Sequence, residues 1–256
     1  MKRPVLILAA MFGLASAAAA ETIKVGIGAE PYAPFTSPDA SGVWVGWEID
    51  LINAVCKAAD LECVITPIAW EGIIPALTGG QIDVIMNSMS ITEERLQTVD
   101  FSDKYYNTPT IILSAKGVVA TPDAAGLAGK ILGVQVSTTH ENYAQAHFKD
   151  TAAEIKIYQT ADEALQDLTA GRIDATQTDV VAADVFLLTE AGAACCEIVG
   201  AVADDPVILG RGVGVAIRKG DTGMLAKFNA AIARVREDGT YDAITKNYFA
   251  SSIYGD

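Results

Sequence analysis

WEGIIPALTGGQIDVIMNSMSITEERLQTVDFSDKYY, residues 70–106, is the densest stretch of the chain. Its middle, LTGGQIDV at 77–84, is echoed by LTAGRIDA at 168–175. Each copy reads as the end of a helix, a glycine turn and a short buried strand. Gly79-Gly80 and Gly171 supply the left-handed conformation that closes a helix. Ile82, Val84 and Ile85 form the apolar strand of one copy, and Ile173 and Ala175 that of the other. A small polar cluster follows each strand: Asn87-Ser88-Met89-Ser90 in the first, Thr176-Gln177-Thr178-Asp179 in the second. Helix, glycine, strand recurs in many α/β chains, so the echo alone leaves coincidence open. Two copies that both end in hydrogen-bonding side chains point to two similar lobes facing each other across a ligand.

Outward from this stretch, residues 23–27 alternate as a strand that breaks at Gly28-Ala29-Glu30-Pro31. Tyr32-Ala33-Pro34-Phe35 is extended, because each proline disfavours helix for the residue before it. Residues 42–46 read as a hairpin edge. A helix follows over 47–59, with Ile49, Ile52, Val55 and Cys56 on one side. Then come a strand at 64–68, a helix at 71–77, a strand at 81–86 and a short helix at 92–99. Residues 108–114 are a long extended run, and 120–129 a polar, Gly-rich break. The pattern restarts with strands at 130–136, 155–158 and 173–176, separated by helices at 139–148 and 161–170, and a helix at 180–189. A strand at 210–217 and helices at 222–238 and 241–249 close the chain. Alternating strands and helices imply α/β lobes with mostly parallel sheets. The last strand and two helices have no counterpart in the second unit. Their simplest placement is back in the first lobe, so the chain crosses between lobes twice. The lobes are expected at 21–108 with 209–256, and at 109–208.

The ends and the composition narrow the class. Lys2 and Arg3, an apolar run over 5–14 and Ala18-Ala19-Ala20 before Glu21 form the pattern of a cleaved export signal. The apolar run is too short to span a membrane comfortably, no other stretch is long enough, and no Cys follows the cleavage point. The expectation is an exported, soluble chain without a membrane anchor. The formal charge is −14, and removing Lys2 and Arg3 from the 18 basic residues makes it −16. Such an acidic chain argues against nucleic acid and against docking on an anionic membrane. Cys56 falls late in the first helix and Cys63 opens the next strand. A bridge between them would pin helix to strand, and closing so short a loop contributes about 2.5 kcal/mol. Cys195 and Cys196 are adjacent, which allows a vicinal disulfide, free thiols or pairing between molecules. With only two His, His140 and His147, at no zinc-like spacing to the Cys, no metal is expected.

Several residues carry the chemistry. Thr92 N-caps a helix whose first turn holds Glu93, Glu94 and Arg95. The acids suit the positive helix end and the arginine does not. Either Arg95 pairs with a nearby Glu at the surface, or its planar fork holds a ligand carboxylate, with Ser88 and Ser90 as added donors. Thr138 and Glu141 fit a capping box, and the same helix start is a ready anion site. Asp179 opens a helix, as an N-cap or as a lone carboxylate facing an ammonium. Tyr32 and Trp70 are core aromatics, or they stack on a ligand side chain.

These residues resemble the polar amino-acid-binding proteins of ABC importers, the periplasmic solute-binding proteins of the lysine/arginine/ornithine, histidine and opine type. The resemblance runs over the whole chain after the signal. It includes YAPF at 32–35, GWEIDLINAVCKAADLEC with both Cys, WEGIIPAL, NSMSITEER and FSDKYY. It continues through GVQVSTTHENY, LTAGRIDATQTD, GRGVGVAIRKGD, DGTYDAITKNYF and the terminal YGD. It implies two α/β lobes joined by two crossings, with the ligand in the cleft between them. Arg95, helped by Ser90 and Thr139, would hold an α-carboxylate. Asp179, with Ser88, would hold an α-ammonium. Tyr32 and Trp70 would flank the side chain, and Asn87, Gln135 and His140 would line the specificity end. A Cys56–Cys63 disulfide is implied too.

The chain departs from the pattern in three places. Ala29 stands where an acidic residue is usual, with Glu30 one position nearer the tyrosine. Asn87 stands where basic-amino-acid binders of this kind can have Ser, and the Cys195-Cys196 pair is extra. These touch side-chain specificity and leave the amino-acid headgroup alone. The implied function is a monomeric binder, without cofactor, that captures a polar and cationic amino acid for an inner-membrane permease. An opine or a neutral polar amino acid is the next choice. The rival of another class is an enzyme resembling cyclohexadienyl dehydratase, which would need a proton-donating carboxyl in the cleft.

Overall fold

The computed structural model describes residues 21–255; the export signal expected over 1–20 lies outside the described residues. The first half of the chain builds β1 (Glu21–Gly28), β2 (Ser37–Pro38), β3 (Trp44–Val45), α1 (Trp47–Ala58), β4 (Leu61–Ile68), α2 (Ile73–Thr78), β5 (Val84–Ile85), α3 (Glu93–Leu96) and β6 (Val99–Phe101). The middle builds β7 (Thr110–Ala115), β8 (Ile131–Gln135), α4 (Thr139–His147), β9 (Glu154–Tyr158), α5 (Ala161–Thr169), β10 (Ala175–Asp179), α6 (Val180–Leu187), α7 (Glu190–Cys195) and β11 (Cys196–Ala201). The chain ends with β12 (Ala216–Arg218), α8 (Thr222–Glu237) and α9 (Thr240–Thr245).

One five-stranded sheet has the order β4-β1-β5-β12-β6 and the other β11-β7-β10-β8-β9, giving a two-lobed α/β fold. The chain passes from the first sheet to the second after β6 and returns after β11. In the first lobe α1 presents Trp47, Leu51, Ile52 and Val55 to β1 and to Phe228, Ala231, Ile232 and Val235 of α8. The disulfide Cys56–Cys63 ties the end of α1 to β4. In the second lobe the alternation of β7 sends Ile112 to one core with Tyr143, Ala144 and Phe148, and Ile111 and Leu113 to another with Ala164, Leu168 and Ala183. Cys195 and Cys196 form a vicinal disulfide where α7 meets β11.

Four expectations need correction. The sheets are mixed: β12 runs antiparallel to β5 and β6, and β7 antiparallel to β10 and β11. The crossings cause this, because a strand entered straight from the other lobe has no helix to reverse it. The cluster Thr176 to Asp179 does not follow its strand; it is the strand, since pairing with β7 continues to Asp179↔Thr110. The helix expected over 92–99 stops at Leu96, because Val99 joins β12. Finally, the strand expected over 210–217 is confined to Ala216–Arg218, and α7 and β11 fill a stretch to which no element was assigned. The repeat itself stands, with Gly80 at φ 74° and Gly171 at φ 69° making matching left-handed turns.

Candidate functional site

A cleft of about 540 Å³ opens between the lobes at the ends of β1, β5, β8 and β10, where ligands bind in open α/β sheets. Every expected residue lines it. Glu30, Tyr32, Trp70, Asn87, Ser88, Ser90 and Arg95 come from the first lobe, and Gln135, Thr139, His140 and Asp179 from the second.

Arg95 reaches the cleft because its helix starts there. Its backbone N–H donates to the capping Thr92 hydroxyl at 3.2 Å. Its guanidinium donates to the Ser90 carbonyl at 3.0 Å and to the Ser137 carbonyl at 3.3 Å, and lies 5.8 Å from the centre of the Trp70 ring. Among the described residues no carboxylate lies within ion-pair distance of it. The surface pairing considered above does not form. Burial lowers its pKa to about 10, with Glu94 pulling the other way, so it is a cation at neutral pH.

Asp179 caps α6 and also lines the cleft. One carboxylate oxygen caps α6, accepting the Val181 N–H at 2.7 Å, and the other accepts the Thr108 hydroxyl. No cation among the described residues pairs with it. Burial pushes its pKa up to about 6, against those two hydrogen bonds. Burial, with Arg95 nearby, lowers His140 to about 4, so His140 is neutral and offers one donor and one acceptor.

Two local expectations differ. Thr138 caps α4, accepting the Glu141 N–H at 3.1 Å, but Glu141 returns its bond to Ser137 N–H at 2.6 Å instead of to Thr138. The turn at Ser137, φ 58°, sets this and aims its carbonyl across the cleft. There the Ser137 carbonyl receives both Arg95 and the Trp70 indole N–H, the latter at 3.2 Å. Asn87 lines the cleft, yet its amide is engaged inward. Its oxygen accepts the Gly28 N–H at 2.5 Å, and its nitrogen donates to Thr36 at 3.3 Å and Glu48 at 3.3 Å. A Cβ at Gly28 would come within 2.9 Å of the Asn87 oxygen, so a larger residue there would displace that amide. Glu30 faces the cleft and accepts the Trp70 N–H at 3.2 Å.

Residues 23–251 match the family model described as bacterial extracellular solute-binding proteins, family 3. The chain belongs to this family. The lysine/arginine/ornithine-binding periplasmic protein of Escherichia coli is 37% identical, with both chains covered in full. An L-arginine-binding protein of Pseudomonas aeruginosa is 39% identical over 96% of this chain and 94% of its own. Among solved structures, an ancestral arginine-binding protein bound to arginine superposes with TM-score 0.82, at 35% identity, over 91% of this chain and all of that one. An ancestral amino acid-binding protein, a precursor of cyclohexadienyl dehydratase, does so with TM-score 0.77, at 32% identity, over 89% and 95%.

For a family 3 solute-binding protein, the informative feature is charge. Among the described residues, the first-lobe wall offers an unpaired cation, and the second-lobe wall an unpaired anion. The lobes also touch: besides the contacts to Ser137, Asn142 donates to Glu94 at 3.0 Å. Composition and motif spacing left several lining residues unmarked. Tyr106 ends the opening stretch and Thr108 begins the extended run over 108–114, and neither was singled out. Gln177 stood only within the polar cluster of the second copy; it is buried, with both amide atoms unpartnered among the described residues. Glu48, buried beneath Asn87 and Ser88 and not itself lining the cleft, fell within the helix expected over 47–59 without being singled out.

Proposed function

We propose that this chain is the periplasmic substrate-binding component of an ABC importer and that it binds a free amino acid with a cationic side chain. The observation that carries the reading is the pair of complementary charges, Arg95 and Asp179, each half-buried in one cleft without an ion-pair partner among the described residues. A buried charge without a partner is costly, and a zwitterion satisfies both at once. In this reading Arg95, with Ser90 and Thr139, holds the α-carboxylate, and Asp179, with Ser88, holds the α-ammonium. Tyr32 and Trp70 flank the side chain, whose cationic end meets Glu30. Gln135 and neutral His140 add hydrogen bonds, while Asn87 shapes the floor with its backbone-bound amide. Charge-assisted bonds of about 1.5–3 kcal/mol each, less the cost of immobilising the ligand, support micromolar or tighter binding.

The export signal over 1–20 would be removed near Ala20, leaving a periplasmic monomer with lobes at 21–108 plus 209–256 and at 109–208. The permease is its membrane partner. No described helix is long and apolar enough to cross a membrane. An opine is the second reading, favoured by the unpartnered Gln177 amide and the neutral His140, which suit an extra carboxylate. The enzyme reading would use Asp179 as the acid, yet with a pKa of about 6 it is mostly ionised at neutral pH even without a ligand.

Calorimetric titration with arginine, lysine, ornithine, histidine, glutamine, glutamate and octopine tests the proposal. A cationic amino acid should bind most tightly. Preference for glutamate or an aliphatic amino acid would refute the cationic reading, and turnover of prephenate would refute the binder.

A further inference from the structure

Glu48 is fully buried in the first-lobe core beneath the cleft, and no cation among the described residues lies within ion-pair distance of it. Its carboxylate receives four donors. One oxygen accepts the Ser88 N–H at 2.7 Å and the Tyr105 hydroxyl. The other accepts the Ser88 hydroxyl at 3.1 Å and the Asn87 amide nitrogen at 3.3 Å. The Asn87 orientation is not free: its oxygen is taken by the Gly28 N–H, so its nitrogen must face Glu48. An amide nitrogen and a backbone N–H can only donate. Each oxygen of Glu48 therefore carries one obligatory donor, and the two hydroxyls complete the set.

This arrangement has a consequence for Ser88, which lines the cleft. Its backbone is at φ 48°, a region few non-glycine residues occupy, and Glu48 grips both its N–H and its O–H. Its hydroxyl proton is committed inward, so the oxygen presents only lone pairs outward, to the Tyr106 phenol beside it and to the cleft. The opposite wall repeats the device, since the Thr108 hydroxyl donates to Asp179. Glu48 and Asp179 also act on the same two phenols. After burial, these carboxylates are the charges that raise Tyr32 and Tyr106, so they flank one site from opposite lobes.

We propose that Glu48 is a positioning residue that makes Ser88 a pure acceptor, so that this corner selects an acid bearing an α-ammonium over its α-hydroxy analogue. An ammonium brings three donors and no acceptor. A hydroxyl brings one donor and lone pairs that oppose those of Ser88. The inference rests on the amino-acid reading above.

The test compares L-arginine with 2-hydroxy-5-guanidinopentanoic acid by calorimetry on wild type, Glu48→Gln and Ser88→Ala. Glu48→Gln should weaken arginine about tenfold and change the hydroxy acid by less than about threefold, narrowing the preference. Ser88→Ala keeps the Glu48 carboxylate and its other bonds, and should narrow the preference in the same direction if Glu48→Gln fails to fold. Equal losses for both ligands would overturn the inference and leave Glu48 a structural residue. Carbon-13 NMR of the Glu48 carboxyl in the ligand-free protein near neutral pH needs no ligand. A carboxylate resonance supports the proton assignment and a protonated acid overturns it. Arginine that fails to bind wild type would count against the cationic amino-acid reading, and the NMR result would still decide the proton assignment.

Discussion

The two walls of the cleft begin from the same unit and finish in opposite ways. Both start with a helix closed by a left-handed glycine, Gly80 or Gly171, and a short buried strand. In the first lobe β5 ends after Ile85, and the polar residues that follow turn inward onto Glu48 while Arg95 turns outward. In the second lobe pairing with β7 carries β10 through to Asp179, which caps α6 and faces the cleft at once. One wall therefore supplies a cation on a loop-borne helix start, and the other an anion on a strand end. The same local motif yields complementary charge because the sheets extend it to different lengths.

Arg95→Ala should break this complementarity most severely. Leaving a ligand carboxylate desolvated and unpaired costs about 2–5 kcal/mol, or roughly 30- to several-thousand-fold in affinity. Calorimetry should show that loss while the ligand-free melting temperature stays near wild type. Affinity close to wild type would show that the cation on the first wall is idle.

Removing both Cys56 and Cys63 should leave the comparison intact and weaken only the lobe that carries it. Denaturant unfolding should lose about 2.5 kcal/mol, with unchanged ligand affinity. An equal fall in affinity would mean that α1 and β4 transmit strain to the cleft.

Asp179→Asn tests the second wall, since asparagine still caps α6 but lacks the charge. Affinity should fall about tenfold or more. The pH dependence sharpens this. The folded-state pKa of Asp179 is raised to about 6 in the empty cleft, so its contribution to ligand-free stability is complete below the ordinary carboxylate pKa. That contribution is lost as pH rises through about 6. A bound ammonium reverses the preference, favouring the ionised form. Affinity should therefore drop as pH falls below about 6 in wild type, with proton release on binding, and this component should vanish in Asp179→Asn. A flat wild-type profile would show that no ammonium meets Asp179.

Asn142→Ala should have the smallest effect. It removes one exposed bond between the lobes, to Glu94, and should raise the dissociation rate about twofold. Stopped-flow displacement that finds no change would place closure entirely on the Ser137 carbonyl.

Much of the site was legible because helix starts announce themselves. Thr92, Thr138 and Asp179 each read as caps, and all three are. Arg95 stood out because a cation in a first helical turn has no local reason to be there. Tyr32 and Trp70 were marked by prolines and a helix start. What escaped was whatever depended on a distant partner. Asn87 read as a specificity residue, yet its amide is held by Gly28, Thr36 and Glu48 from three other segments. The mixed strand directions escaped for the same reason, because β12 joins β5 and β6 from more than a hundred residues away.

By itself the sequence determined two α/β lobes, an export signal's pattern and an Arg95 and an Asp179 at helix starts, because periodicity, caps and charge placement are local properties of the chain, while their opposition across a cleft was implied only by the family resemblance. Only the tertiary structure decided where hydrogens and charges point. It turned Asn87 inward, paired Glu141 with Ser137, raised Asp179 to about 6 and put Glu48 beneath Ser88. Burial and donor geometry are set by neighbours that the chain brings together from afar, and no window of sequence contains them.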